Sequence, residues 1–323
     1  MLQSLTGNGG DTMAFKRPVK TVIVLLILVL TAGMITGCNT SEYAQSGKVI
    51  IPAADLSNYI GAENTVIVDM QDEEAYAAAH VEGAVNIPLS DIVINVPVKN
   101  MLTSKSKLEK LLSAKGIGND TVIVAYDDNN MNAARLFWTM LMYQNTNVLV
   151  VDGGLSAIVS AGYELTADVP EITAAEYVAA DKDETWLATI DDVKAQVDEP
   201  DANTILLDVR TEDEYYESGK VPSSVMFDFY DNFYADGTLK DIQATRINYM
   251  QDGIKPANDI IMYCQTSMRA ATVFLRLYDA GYRNLKLYDG AYLEWSSKNA
   301  ANPDAYPVDI PEGITAPTNK DAS

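Results

Sequence analysis

The chain has 323 residues, 48% of them hydrophobic, with 45 acidic side chains against 23 basic ones and a net charge of −22 at pH 7. A surface this acidic repels nucleic acid and anionic lipid head groups, so neither is an expected ligand, and an anionic substrate needs a local positive field drawn from few Lys and Arg. With two cysteines and one histidine in the whole chain, neither a disulfide framework nor a Cys/His metal site is expected.

In chain order, Lys16, Arg17 and Lys20 precede an apolar run from Thr21 to Ile35. That run has the length of a signal-peptide hydrophobic region and is short of the ~20 residues a membrane span needs. It ends in Ile35-Thr36-Gly37-Cys38, which resembles the lipobox of bacterial lipoproteins. The resemblance implies cleavage before Cys38, acylation of Cys38, and an extracytoplasmic protein held to a membrane through its lipid. Met13, directly before the basic cluster, is then the candidate start. Loss of residues 1–37 removes Lys16, Arg17, Lys20 and Asp11 and leaves the rest more acidic still. Residues 38–47 read as a polar tether, and Cys264 is left as a lone thiol with no internal partner.

From Lys48 onward, short apolar runs alternate with segments of helical period, which predicts α/β units around mostly parallel sheets. Expected strands are Thr65–Val68, Thr121–Ala125, Val148–Val151, Thr204–Leu207 and Ile260–Tyr263, each followed by a turn former and then a helical stretch. The length suits two domains, 48–170 and 171–300. Thr166–Ala179, with Pro170 and few apolar anchors, reads as the crossing between them, and residues 301–323, rich in proline, as a flexible tail.

An internal repeat organises the chain. Tyr126-Asp127-(x)3-Met131-Asn132-Ala133-Ala134 matches Tyr263-Cys264-(x)3-Met268-Arg269-Ala270-Ala271, and 25 residues separate Asp127 from Asp152 and Cys264 from Asp289. Upstream, Val68-Asp69-Met70 matches Leu207-Asp208-Val209. The copies differ at one chemically decisive position, Asp127 against Cys264. A carboxylate lacks the nucleophilicity of a thiolate, so the first copy is expected to be a scaffold and the second the site of chemistry.

The segment Cys264-Gln265-Thr266-Ser267-Met268-Arg269 follows a buried strand and opens a helix expected over about Arg269–Tyr278. A loop in that position turns its backbone N–H groups inward, and the helix adds the positive end of its dipole. Arg269 adds a full charge and Thr266 and Ser267 hydroxyl donors, making a small anion pocket with a nucleophile at its centre. This Cys-x4-Arg loop resembles the active-site loop of the rhodaneses, the thiosulfate and 3-mercaptopyruvate sulfurtransferases. Asp208-Val209-Arg210 resembles that family's D-x-R, Tyr288-Asp289-Gly290-Ala291 its YDGS segment, and His80-Val81-Glu82-Gly83-Ala84-Val85-Asn86-Ile87-Pro88 its GHIPGAxNIP signature. The resemblance spans Lys48 to about Lys298. It implies two tandem rhodanese-like domains, each a central parallel sheet flanked by helices.

By the same resemblance, a small anionic donor passes sulfur to Cys264 and a thiol or cyanide acceptor collects it, without metal or organic cofactor. Arg269 orients and stabilises the anion. Arg210 holds either the loop or the donor, and Gln265, Thr266, Ser267 and Met268 line the binding loop. Two departures stand out: the residues after the cysteine, Gln265 and Thr266, carry no charge, and Ser267 stands where the family commonly has glycine. Two other function classes are weighed. Phosphatases and arsenate reductases of related fold carry five residues between Cys and Arg, against four here, which disfavours a tetrahedral oxyanion. A non-catalytic module relaying persulfide sulfur is the other. Cys264 as a mere buried hydrophobe, His80 as a general base rather than a turn brace, and Arg210 or Arg269 simply paired with Glu212 or Asp213 are the blander or competing readings of single residues.

Overall fold

The computed structural model describes residues 49–311; the signal-peptide, tether and Cys38 expectations, and the tail beyond residue 311, fall outside them. The first sheet contains β1 (Ile50–Ile51), β2 (Thr65–Asp69), β3 (Val85–Asn86), β4 (Val122–Tyr126) and β5 (Val148–Val151), all parallel, in the order β1-β5-β4-β2-β3. The second repeats the order with β6 (Leu187–Ala188), β7 (Thr204–Asp208), β8 (Val225–Met226), β9 (Asp259–Tyr263) and β10 (Leu285–Tyr288), as β6-β10-β9-β7-β8. Near-continuous apolar strands are what a parallel sheet covered on both faces demands. Register is matched too: Asp69 lies opposite Tyr126 in one sheet and Asp208 opposite Tyr263 in the other. The expected strands are all present, within one or two residues of their expected ends.

Five helices matter for the site: α1 (Lys105–Ala114), α2 (Met131–Met142), α3 (Glu212–Glu217), α4 (Met268–Asp279) and α5 (Ala291–Ala301). Helices α2 and α4 follow the two equivalent loops, and nearly all their side chains are buried. A helix apolar all round needs cover on every side. Here that cover is the opposite half: Phe137 meets Tyr278 edge-on at 5.3 Å, and Thr272 Oγ1 donates to the carbonyl of Asn130. One hydrophobic cluster accordingly contains residues of both sheets.

The contact between the halves is reciprocal. Asp289, after β10, accepts the backbone N–H of Leu102 at 2.7 Å, and Asp152, after β5, accepts that of Leu239 at 2.9 Å. Both pairs are related by the same 137-residue shift that relates Asp127 to Cys264. The first contact is reinforced by Arg135, fully buried on α2, which reaches Asp289 Oδ1 at 2.6 Å and the carbonyl of Asn100 at 2.7 Å while its guanidinium lies over the Trp138 ring.

Two connecting segments differ from expectation. The crossing is exposed or half-buried through residue 176 but firmly anchored at its end, where Tyr177 and Ala179 are buried and the backbone of 177–179 is bonded to Ser113, Asn119 and Glu109. The tail expected to be loose from residue 301 is packed through residue 309. Trp295 of α5 is buried and needs an acceptor for its indole N–H, which the carbonyl of Pro307 supplies at 2.9 Å, and Lys220 and Asp309 form a two-bond antiparallel bridge.

Replacing Arg135 with Met should leave the Asp289 carboxylate buried without its counter-ion. Urea unfolding of Arg135→Met is expected to show a loss of about 3–5 kcal/mol, whereas a loss below about 1 kcal/mol would mean that the pair is dispensable.

Candidate active site

Strand β9 ends at Tyr263 and α4 begins at Met268, so Cys264 lies at the base of the turn between them, only 1% exposed. Ser267 takes a left-handed conformation (φ 63°), which is costly for a residue with a Cβ. Its hydroxyl offsets that cost by donating between two carbonyls, Tyr288 at 2.9 Å and Asp289 at 2.5 Å, fully buried. Ser267 is therefore a staple that ties the loop to the end of β10, a role glycine could not fill. Asn130 occupies the same place and conformation in the first half, its amide bridging the carbonyl of Val151 and the N–H of Gly153. From below, the N–H groups of Tyr292 and Leu293 hold the carbonyls of Cys264 and Gln265.

Arg269, five residues after Cys264, interacts electrostatically with the Cys264 sulfur and is gripped by Glu214 of α3 through two bonds of 2.5 and 2.7 Å. Burial works against the charge of Arg269, but Glu214 and the sulfur outweigh it and raise the guanidinium above its usual pKa. Glu214 is itself fixed as the third helical residue of a capping box with Thr211. Partial burial opposes its ionisation, yet the bonds from Arg269 and Thr211 prevail and hold it at about 2. The blander sequence reading pairs Arg269 with Glu212 or Asp213. The T-x-x-E spacing of a capping box was the signal that singles out Glu214 instead.

Arg210 does not reach the pocket. It is fully buried, paired with Asp208 through Nε and Nη2, and bonded to the carbonyl of Gly219. Its face stacks on Tyr292 at 3.8 Å. In the first half the corresponding Gln71 ties Asp69 to the carbonyl of Ala79 without any charge. Arg210 is thus a bracket between the end of β7 and the following turn, its Nε and Nη2 taken by Asp208 and Gly219 and its Nη1 3.5 Å from the carbonyl of Glu214, and this burial disfavours the expectation that it holds the donor. Of the other expected binding residues, Gln265 and Thr266 are half-buried at the rim, while Met268 is buried at the start of α4. His80 is buried against Tyr76, its two ring nitrogens facing the carbonyls of Tyr76 and Asp168, so it braces a turn.

The first-half loop displays what the cradle holds. Asp127 Oδ2 accepts the N–H of Asn132 at 2.6 Å, and the nearby backbone amides of Asn130 and Ala133 also favour the ionised carboxylate. Its other oxygen, Oδ1, is buried with no partner. Burial pushes this carboxyl up to about 6, with the three amides pulling the other way. The matching amides of the second loop are those of Ser267, Arg269 and Ala270.

The molecule is therefore a duplicated α/β protein with two strand-to-helix anion cradles, one filled by a carboxylate and one built on a thiol. Residues 52–161 and 189–298 each match the rhodanese-like domain, and the chain belongs to the rhodanese family in its tandem-domain sulfurtransferase form. A Saccharopolyspora erythraea protein classed with the thiosulfate sulfurtransferases is 30% identical over 268 residues, covering 77% of this chain and 94% of that protein. The thiosulfate sulfurtransferase of Corynebacterium glutamicum is 27% identical over 79% of this chain and 90% of its own length. The sulfur carrier protein TtuD of Thermus thermophilus is 29% identical over 70% and 86%. Among solved structures, the anaerobic ergothioneine biosynthesis enzyme of Chlorobium limicola shares the fold, with a TM-score of 0.71 at 21% identity over 82% of this chain and 70% of that one.

Two titrations follow. An acid raised from its unfolded value of 3.8 to about 6 contributes stability that is full below 3.8 and lost as pH rises through 6. Asp127→Asn should remove that slope and gain roughly 1–3 kcal/mol at pH 8 relative to the parent, measured by urea unfolding across pH; an unchanged slope would show that Asp127 is not its source. Glu214 is lowered from 4.5, so its contribution is present above 4.5 and lost as pH falls toward 2. Acid unfolding followed by tryptophan fluorescence should accordingly be shallower in Glu214→Gln between pH 5 and pH 2.

Proposed function

We propose that the chain transfers sulfane sulfur from a small anionic donor, thiosulfate or 3-mercaptopyruvate, to a thiophilic acceptor through a persulfide on Cys264. The observation that carries this reading is the Cys264 thiol at a strand-to-helix turn with Arg269, fixed by Glu214, interacting with its sulfur, in a loop whose twin already holds a carboxylate. A site that binds an anion through backbone amides and a fixed guanidinium suits both a thiolate and the terminal sulfur of a persulfide.

In the first half-reaction the Cys264 thiolate attacks the outer sulfur of thiosulfate. A sulfur–sulfur bond forms on the enzyme, the one in the donor breaks, and sulfite leaves with the electron pair. With 3-mercaptopyruvate the carbon–sulfur bond breaks instead, and pyruvate leaves as its enolate, which takes up the thiol proton at carbon. In the second, an acceptor thiolate or cyanide attacks the outer sulfur and Cys264 departs as thiolate, a ping-pong sequence. Arg269 faces the negative charge on sulfur in both halves, and Glu214 fixes its direction. The near-complete burial of Cys264 and the neutral rim also support a slower relay role, of the kind the name of the TtuD relative denotes. On the Ile35-Thr36-Gly37-Cys38 sequence, we place this chemistry outside the cytoplasm on a lipid-anchored protein.

Intact-mass spectrometry after incubation with thiosulfate or 3-mercaptopyruvate should show a gain of one sulfur atom that is absent from Cys264→Ser, and turnover with cyanide separates an enzyme from a relay. A folded protein with a free thiol that takes up sulfur from neither donor would refute the reading.

A further inference from the structure

The donor is an anion, yet both cations expected at the site are neutralised within the protein. Arg210 is matched by Asp208 and Arg269 by Glu214, and the rim residues Gln265 and Thr266 are uncharged. Cys264 is closely covered, and what stands over its loop comes from the other half of the chain. Asn100, buried and in a left-handed conformation (φ 66°), places its side-chain amide 3.4 Å from Thr266 Oγ1. This corner is held firmly. Asn95 accepts its N–H at 3.1 Å, Arg135 donates to its carbonyl at 2.7 Å, and two residues on, the N–H of Leu102 is bound by Asp289.

The residue next to it is Lys99, exposed, with no ion pair or hydrogen bond of its side chain among the described residues. Three lysines of neighbouring segments are engaged instead: Lys105 with Asp181, Lys107 with the carbonyls of Ser90 and Val93, Lys182 with Glu184. The first half's cradle has an equivalent corner, bonded through Leu239 to Asp152, and again with a positive φ, at Gly237. There the residue matching Lys99 is Asp236. The same backbone corner thus carries a cation where the cradle holds a thiol and an anion where the cradle is already filled by Asp127.

We propose that Lys99 and Asn100 of the first domain form the subsite that receives the anionic group of the donor at the Cys264 site, Lys99 by charge and Asn100 by its side-chain amide. This rests on the sulfur-transfer reading for the nature of the anion. The catalytically empty domain then adds positive charge to a loop whose own Arg269 is paired with Glu214, and donor affinity becomes a property of the interface between the halves. Because Lys99 is solvated, its attraction for a dianion is screened by salt.

The test uses the full chain with Cys264→Ser, so that binding is read without chemistry, and thiosulfate titrated calorimetrically at low ionic strength. Adding Lys99→Gln should weaken binding about fivefold to tenfold, as expected for one exposed charge acting on a dianion, and Lys99→Glu should weaken it further. Lys255→Gln, which removes an equal charge next to the N-terminal end of β9, at the far end of the sheet, should leave the affinity unchanged. Equal affinity in all four proteins, an equal loss in Lys255→Gln, or no thiosulfate binding at all would overturn the subsite. Lys99-dependent binding together with a native chain that never acquires sulfur on Cys264 would overturn the sulfur-transfer reading and leave the subsite standing.

Discussion

The structure of the site depends on one carboxylate, Asp289, at the end of β10. Its side chain pairs with Arg135 from the first half and with the N–H of Leu102, while its own carbonyl receives the Ser267 hydroxyl. A buried charge is tolerated only when its lone pairs are satisfied, so these bonds form together or fail together. The result is that the thiol loop, the corner bearing Asn100 and the packing of α2 against α4 share one anchor. The geometry of the nucleophile is set as much by the half that lacks one as by the half that carries it.

The two cradles show how little must change to separate chemistry from architecture. Strand order, register, the left-handed stapled residue and the N–H bond to the carbonyl at the loop base recur in both halves. In the first, Asp127 supplies an internal anion that satisfies the loop amides permanently, at the cost of a buried, unpartnered Oδ1. In the second, a small polarisable sulfur leaves the cradle able to accept charge that arrives with a substrate. Asn132 in the place of Arg269 completes the difference, since the first loop lacks the guanidinium charge that the second carries.

Much of this was legible in the residues. Strands buried on both faces appear as short apolar runs, and a duplicated chain provides its own internal comparison, which is why both the sheets and the Asp127/Cys264 contrast could be read directly. What escaped was set by contacts distant in sequence. Arg210 in a D-x-R motif looks like a ligand-binding residue, and only its burial against Asp208 and Gly219 shows that it is a bracket. The crossing acquires its anchors from Tyr177 meeting α1 and its neighbours, and the C-terminal stretch from the needs of Trp295, neither of which has a local pattern. The Asn100 corner lies 166 residues from the threonine it touches.

The exchange of Asp152–Leu239 for Asp289–Leu102 has the form of an isologous contact, in which one surface patch meets its own copy across a two-fold axis. A tandem chain built this way is a dimer whose subunits have been joined end to end. In a true homodimer both pockets must stay alike, because one gene writes both. Fusion releases that symmetry: one copy is free to keep the thiol, the other to keep only the corner that caps it, and neither half can be cut away without opening the site of the other.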